Sequence, residues 1–172
     1  MNFNLYEAIE VLERTPKTLE YFLSRLSDDW LQCHEGEGTW NASQIVDHLI
    51  EGDKTDWIPR VESIILTERD SHFPPYDRFS HLQKPERTIE EKLEEFKVIR
   101  AESLEKLKTL IDSESNFDLT GIHPEFGEVT LKQLLSTWVV HDLTHIAQIV
   151  RVMANRYRTD VGPWVSYLGI LK

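Results

Sequence analysis

Three short polar motifs, each followed by apolar residues at helical spacing, limit what this chain can fold into more than any other feature. Each motif joins an Asn or Thr to a Gln or Glu three residues later. The three pairs are Asn41–Gln44, Thr88–Glu91 and Thr130–Gln133. In such a capping box each side chain bonds to the other residue's free backbone N–H at the start of a helix. The sequence therefore predicts three helices that begin at these positions.

The N-terminal segment adds a fourth helical pattern. Its apolar residues recur every three or four positions from Leu5 to Leu26, which is the spacing of one buried helix face. Thr15 and Pro16 interrupt this segment. Threonine is a good N-cap and proline is favoured at the first helical position. The sequence therefore predicts that one helix ends here and another begins.

Three polar segments separate the helical patterns: residues 28–39, 69–87 and 113–129. We expect all three to be irregular. Pro59 should kink or interrupt the second helix, because its ring removes a backbone hydrogen bond. A short helix should follow Gly162 and Pro163. Residues 1–172 are predicted to form a single all-α domain, a four-helix bundle with long inter-helix loops.

The charge of the chain argues against several classes of partner. Its formal charge of −11 at pH 7 disfavours nucleic acid, which needs a basic face, and an anionic membrane surface. No apolar run approaches the roughly 18–20 residues of a membrane span, and the N-terminus lacks the basic start of a signal peptide. Cys33 is the only cysteine, so no intrachain disulfide can form. We expect a cytoplasmic protein that binds neither nucleic acid nor membranes.

Two histidines lie where the last helix should carry apolar residues. His141 and His145 are four residues apart, so their side chains project from one helix face. Both lie on the same core-facing stripe as Trp138. An imidazole that is buried there without a hydrogen-bond partner or a metal costs free energy. Two interpretations are open at this spacing. The pair could be ligands of one metal ion, or core histidines that are hydrogen bonded to neighbours.

A third histidine favours the metal. His48 lies three residues after Ile45, on the core side of the second helix. Facing helices of a bundle can bring such a side chain opposite His141 and His145. Three neutral imidazoles leave coordination positions open, as in catalytic rather than structural metal sites.

The chain resembles the DinB/YfiT-like superfamily in the blocks LERTPKTLEYFL, EGTWNASQIVDHLIEGD, HPEFGEVTLKQLLSTWVVHDLTHIAQ and VGPW. These blocks cover nearly the whole chain, and the most specific parts are His48 and the HDxxHxxQ element that begins at His141. The resemblance implies a four-helix bundle with a three-histidine metal site, whose ligands carry over onto His48, His141 and His145. Imidazole suits several divalent metals, of which we expect zinc or nickel.

The resemblance implies two chemistries for a small-molecule substrate. Some members are similar to thiol-dependent transferases, in which the metal holds a low-molecular-weight thiol as thiolate. Others are regarded as hydrolases, in which the metal makes hydroxide from water. The sequence offers no clear base, which hydrolysis would use, so it favours thiol S-transfer over hydrolysis. A non-catalytic, stress-related metal or ligand binder is a third alternative, and the resemblance also implies a homodimer.

Three polar residues near the histidines each have two interpretations. Asp142 could orient an imidazole or be a solvated carboxylate. Glu51 could act as a general base, although a surface charge is the simpler interpretation. Gln148 could line the pocket or only pack. HDLTH is also similar to the HExxH of zinc proteases, but Asp142 is one methylene shorter than Glu and no third ligand stands out downstream.

The remaining candidates are expected to be structural. Cys33 and His34 lie in a polar loop, without the helix N-terminus or fixed cation that a catalytic thiol needs. The segment 69–87 could still form a wall of the pocket, because long loops in compact domains are often functional. We expect three loop histidines to be exposed to solvent: His72, His81 and His123. We expect four tryptophans to be core or hydrophobic-staple aromatic residues rather than a ligand cage: Trp40, Trp57, Trp138 and Trp164.

Overall fold

The computed structural model describes residues 3–66, 72–112 and 115–172. Four long helical segments form a bundle, so the predicted all-α four-helix fold is confirmed. The segments are α1 (Leu5–Leu23), α3 (Ala42–Thr55) continued by α4 (Trp57–Leu66), α5 (Ile89–Leu110) and α6 (Leu131–Asn155). The short elements are the helix α2 (Asp28–Leu31) and the 3-10 turns Ser80–Gln83, Gly162–Ser166 and Gly169–Leu171.

All three capping boxes are formed. At the start of α3 the Asn41 side chain accepts from the backbone N–H of Gln44 at 2.8 Å, and the Gln44 side chain accepts from the backbone N–H of Asn41 at 3.0 Å. The equivalent pairs at the starts of α5 and α6 are Thr88–Glu91 and Thr130–Gln133. The predicted starts are confirmed, because each capping pair satisfies N–H groups that have no partner inside the helix.

The predicted break at Thr15 and Pro16 is wrong. α1 is one continuous helix with Pro16 in its interior. Proline lacks the N–H that would bond to the carbonyl four residues earlier, which belongs to Leu12. The guanidinium of Arg100 on α5 donates to this carbonyl at 3.0 Å instead. A tertiary hydrogen bond thus satisfies the group that proline leaves free, and the helix does not need to end.

The second helix is interrupted, as predicted from Pro59. α3 ends at Thr55 and α4 begins at Trp57. Pro59 lies in the first turn of α4, where backbone N–H groups have no partner inside the helix. The segment 28–39 is not wholly irregular, since α2 occupies its first four residues.

Part of the predicted loop 113–129 forms a β-hairpin. β1 (Thr120–His123) pairs antiparallel with β2 (Gly127–Thr130). Gly127, which begins β2 after the turn, has a φ of +72°, a conformation that glycine adopts without steric cost. Strands of four residues are too short to produce a clear alternating pattern, so the sequence did not predict them. Residues 113 and 114 lie outside the described part of the chain.

The bundle contains two apolar clusters with a polar layer between them. α5 and α6 each pack against α1 and α3. The first cluster includes Leu12, Trp57, Leu104 and Trp138. The second cluster includes Leu19, Ile45, Phe96 and Ile149. The buried polar residues of the layer are Thr15, Asp53, Arg100, Asp142 and His145.

Three of the four tryptophans follow the prediction. Trp57 and Trp138 are buried, and Trp40 is half-buried against the second cluster. Trp164 is 67% exposed, so its predicted place in the core is wrong. It lies in the 3-10 turn Gly162–Ser166, which has no buried residue. Within the ranges that the structure describes, no helix combines the length and apolar character needed to cross a bilayer.

Candidate metal centre

Three imidazoles converge between α3 and α6. Nε2 of His141 lies 3.1 Å from Nε2 of His48 and 3.1 Å from Nε2 of His145. One ring nitrogen of each histidine lies within 4.8 Å of the other two. Metal–nitrogen bonds of about 2.0–2.1 Å place the nitrogens of a tetrahedral site about 3.3 Å apart. The three histidines that the sequence singled out are therefore close enough together to fit one small divalent ion.

A hydrogen bond places the proton on one of these rings. Oε1 of Gln148 lies 2.8 Å from Nδ1 of His145, and an amide oxygen can only accept, so Nδ1–H is the donor. A neutral imidazole carries one N–H, and Nε2 of His145 therefore presents a lone pair to His141. Gln148 thus orients His145 rather than only packing against it.

Hydrogen bonding alone does not satisfy the three rings. Nε2 of a neutral His141 carries either one proton or one lone pair. A proton there can be donated along only one of the two 3.1 Å approaches, and a lone pair there would face the lone pair on Nε2 of His145, so at least one approach is left repulsive. Within the described residues, Nδ1 of His48 and Nδ1 of His141 are buried without a hydrogen-bond partner. A cation at the point where the Nε2 atoms meet would remove the repulsion.

Burial keeps all three histidines neutral. Desolvation, with the repulsion that a second protonated ring would add, lowers the pKa of His48 to about 3 and the pKa of His141 to about 2. Desolvation also lowers the pKa of His145, although the bond to Gln148 and the charge of Asp142 oppose the shift. Neutral imidazole is the form that binds metal ions.

Aromatic rings surround the three histidines. The Trp40 ring centroid lies 4.7 Å from that of His48 and 6.3 Å from that of His145. Trp57 meets His141 edge to face at 5.1 Å. Such walls exclude water and lower the local dielectric constant, which strengthens the electrostatic effect of a bound ion.

The prediction that His81 is exposed is wrong. The 3-10 turn Ser80–Gln83 packs against α3 and buries the His81 side chain, which is 2% exposed. Its ring centroid lies 5.2 Å from that of His48 and 4.6 Å from that of Trp40. Within the described residues neither ring nitrogen has a hydrogen-bond partner. The sequence carried no signal for this placement, because the turn is four residues long and lies between two polar stretches.

The segment around His81 also brings Tyr76 to the site. The Tyr76 ring centroid lies 6.2 Å from that of His48, and its hydroxyl is buried without a partner among the described residues. Residues 72–87 thus contribute two side chains next to the histidine cluster. Residues 69–71 of the predicted loop lie outside the described residues.

Neither interpretation of Asp142 is correct. Its carboxylate is fully buried and binds the guanidinium of Arg100, with oxygen–nitrogen distances of 2.5 and 3.1 Å, and within the described part of the chain no hydrogen bond joins it to an imidazole. The simpler interpretation of Glu51, a surface charge, is also wrong. Glu51 is buried on α3 and forms an ion pair with Lys84. Both carboxylates are therefore engaged by cations.

Arg100 was missed by the sequence interpretation. α5 is rich in Glu and Lys, so one more charged residue did not stand out. The missed signal is its spacing, because Phe96, Arg100 and Leu104 lie four residues apart on the apolar face of the helix.

Other candidates lie outside the cluster. Cys33 hydrogen bonds to the Trp30 carbonyl, and burial raises the pKa of its thiol, which is the opposite of activation. His72 is exposed, as predicted, whereas His123 is half-buried in β1 and stacks on Phe126. None of them is part of the histidine cluster.

The sequence model of the DinB superfamily matches residues 11–149, a range that contains all three clustered histidines. The chain belongs to this superfamily. It is 29% identical over 149 residues to a Bacillus subtilis protein named "Putative metal-dependent hydrolase YfiT", covering 84% of this chain and 81% of that one. A protein of Oceanobacillus iheyensis with the same description is 24% identical over 157 residues, covering 90% and 89%.

A solved structure of YfiT from Bacillus subtilis has the same fold. It superposes with a TM-score of 0.71 at 23% identity, covering 87% of this chain and 85% of that one. It is described as a probable metal-dependent hydrolase with an unusual four-helix bundle topology. The resemblance to the DinB/YfiT-like superfamily that the sequence indicated is confirmed.

Proposed function

We propose that this chain is a metal-dependent enzyme of small molecules, in which His48, His141 and His145 hold one divalent ion, zinc or nickel. The observation that carries the proposal is the convergence of three neutral imidazoles, in which Nε2 of His141 lies 3.1 Å from Nε2 of each of the other two and hydrogen bonding cannot satisfy both approaches. The descriptions of its relatives as metal-dependent hydrolases support it. Three protein ligands leave a position open for a water molecule or a substrate.

An ion held by three uncharged ligands keeps its full positive charge, and would lower the pKa of a bound water or thiol. The side chains around it decide which of these reacts. Hydrolysis gains from a group that orients water, and Asp142 and Glu51 are each paired with a cation. His81 is a basic group near the cluster that forms no ion pair among the described residues. It is buried beside His48, with neither ring nitrogen partnered within the described residues.

We therefore favour hydrolysis, with His81 accepting a hydrogen bond from the attacking water. Desolvation lowers the pKa of His81, so its ring is neutral and one nitrogen is free to accept. The sequence favoured thiol transfer because it offered no residue for this task. His81 weakens that argument.

His141 lines a small surface cleft of about 380 Å³. A second cleft, of about 560 Å³, supports a small-molecule substrate, although none of the three clustered histidines lines it. Tyr76 belongs to its lining and also packs near His48. The volume lies in the range of about 300–1,000 Å³ that is usual for small-molecule sites. Other residues of the lining are Arg60, Arg78, Phe79, His123 and Phe126.

Thiol S-transfer is the second candidate. The engagement of Asp142 and Glu51 by cations favours it, since a thiol that has lost its proton needs no carboxylate base. Thiols also start from a pKa near 8.5 rather than near 15.7 for water, so an ion deprotonates them more easily.

One experiment separates the candidates. The cobalt-loaded wild-type, His81→Asn and His72→Ala proteins are tested with ester and amide substrates, and titrated with low-molecular-weight thiols at neutral pH. Hydrolysis predicts metal-dependent turnover in the wild type and in His72→Ala. It also predicts a kcat on the order of 10²-fold lower or more in His81→Asn with unchanged metal content.

Thiol transfer predicts a different pattern in the same proteins. An intense sulfur-to-cobalt absorption band should appear on thiol addition, with metal-dependent conjugation of the thiol to a model electrophile that His81→Asn leaves intact. If neither activity is found across a broad panel of substrates, both enzyme assignments are contradicted. The chain would then be a metal-binding protein without catalytic function.

A further inference from the structure

Arg100 lies at the centre of the polar layer with every N–H group used. Its Nε donates to Asp53 at 2.7 Å, and its Nη2 donates to Asp53 and to Asp142, each at 3.1 Å. Its Nη1 donates to Asp142 at 2.5 Å and to the Leu12 carbonyl at 3.0 Å. A guanidinium has five N–H donors, so all of them are accounted for.

These contacts join all four helices of the bundle. Arg100 belongs to α5, Asp53 to α3, Asp142 to α6, and the Leu12 carbonyl to α1, where Pro16 leaves it without a partner in its own helix. The side chains of Asp53 and Asp142 are fully buried and that of Arg100 almost so. A planar guanidinium binds carboxylates in a fixed geometry, so the contact fixes where the helices lie relative to one another.

The two carboxylates belong to the helices that carry the three histidines. Asp142 directly follows His141 and precedes His145 by three residues, while Asp53 follows His48 by five. A displacement of α6 against α3 would therefore change the Nε2–Nε2 distances of the histidines, and it would change the hydrogen bonds of Arg100 at the same time.

Stability alone does not account for this arrangement. Apolar clusters lie on both sides of the layer, and a buried ion pair is often no more stable than apolar side chains of the same volume. The cluster also contains one more carboxylate than guanidinium, a surplus of negative charge that favours a cation nearby.

We propose that Arg100 is a positioning residue for the metal centre, acting through Asp142 on α6 and Asp53 on α3 to hold the three imidazoles at ligand spacing. The inference rests on the proposed metal site. It adds that Arg100 and Asp142, neither of which contacts the ion, set the affinity and geometry of the site.

The test compares metal binding by folded variants. Asp142→Ala removes the carboxylate through which Arg100 binds α6. Asp142→Asn keeps the shape of the side chain and one of its two oxygen acceptors, but not its charge. Arg100→Lys keeps the charge but cannot reach three partners at once. Arg60→Met is the matched control, because it removes another buried ion pair, with Asp56 at 2.8 Å, that does not involve α6. Zinc Kd is measured by competition with a chromophoric chelator, at a temperature where circular dichroism shows every variant folded.

The proposal predicts that Asp142→Ala and Arg100→Lys raise the zinc Kd on the order of 10–100-fold and alter the visible spectrum of bound cobalt. Asp142→Asn should lie between them and the wild type. Arg60→Met should lower the melting temperature but leave Kd and spectrum unchanged. Wild-type Kd and spectrum in folded Asp142→Ala and Arg100→Lys would overturn the positioning role alone. Failure of the wild type to bind zinc or cobalt would overturn the metal centre itself, and the positioning role with it.

Discussion

At the scale of single residues, Gln148 has the most direct effect on the three-histidine cluster. It holds the proton of His145 on Nδ1 and so leaves Nε2 free to bind. Groups that orient metal-bound histidines typically contribute 10–100-fold to metal affinity.

We expect Gln148→Leu to weaken zinc binding on the order of 10-fold, because His145 loses the acceptor that fixes its proton. Competition with a chelator measures the change. Thr144→Val is the control, since the Thr144 hydroxyl bonds to the Val140 carbonyl of its own helix and not to a histidine. Equal zinc affinity in wild type and Gln148→Leu would show that the hydrogen bond does not prepare His145 for a metal.

The residues of the site were only partly predictable. His48, His141 and His145 stood out because imidazoles interrupted apolar stripes. The cations that pair with Asp142 and Glu51 did not stand out in the sequence, because Arg100 is 42 residues from Asp142 and Lys84 is 33 residues from Glu51. Contacts between distant parts of the chain leave no local pattern. The single-domain organisation and the homodimer stay predictions.

At the scale of helices, the sequence predicts a helix end well when the residues that decide it lie within one turn, and poorly when a tertiary contact decides it. Capping boxes fixed three helix starts because both partners lie within one turn. Pro16 failed as a signal because the bond that replaces its missing N–H comes from α5.

Arg100 donates the hydrogen bond to the Leu12 carbonyl that Pro16 cannot donate, and a double-mutant cycle tests this compensation. Pro16→Ala restores an N–H for the Leu12 carbonyl, which already accepts from Arg100 in the wild type. In Arg100→Lys this carbonyl has lost its partner, so Pro16→Ala should be more favourable there, by about 1 kcal/mol. Urea unfolding of the four proteins measures the coupling. Additive effects would mean that Arg100 does not compensate for the proline.

The junction of α3 and α4 predicts a pH dependence. Burial raises the pKa of Asp56 from 3.8 to about 6, against the opposing charge of Arg60. Between these values the folded chain holds a proton that the unfolded chain has released, so this contribution to stability is lost as pH rises through about 6.

Asp56→Asn removes that titration. The free energy of unfolding of the variant relative to the wild type should therefore increase from pH 4 to pH 7, by an amount on the order of 2 kcal/mol. Urea unfolding at both pH values measures it. A difference that does not vary with pH would contradict the raised pKa.

At the scale of the whole molecule, the two apolar clusters should hold the fold without a metal. Removal of the ion by a chelator is expected to leave the helical circular dichroism signal intact, because both clusters are formed by packed apolar side chains. Zinc at 100 times its Kd should then stabilise the chain by about 2.7 kcal/mol, which raises the melting temperature. Loss of helical signal on chelation would instead mean that the three histidines and their ion are needed for folding.

Metal content per chain tests most directly whether His48, His141 and His145 bind one divalent ion. Wild-type protein, His145→Ala and the exposed control His72→Ala are purified from the same medium, and their metals are measured by elemental analysis. We expect close to one divalent ion per chain in the wild type and in His72→Ala, with a sharp loss in His145→Ala. Full metal content in folded His145→Ala would contradict this assignment.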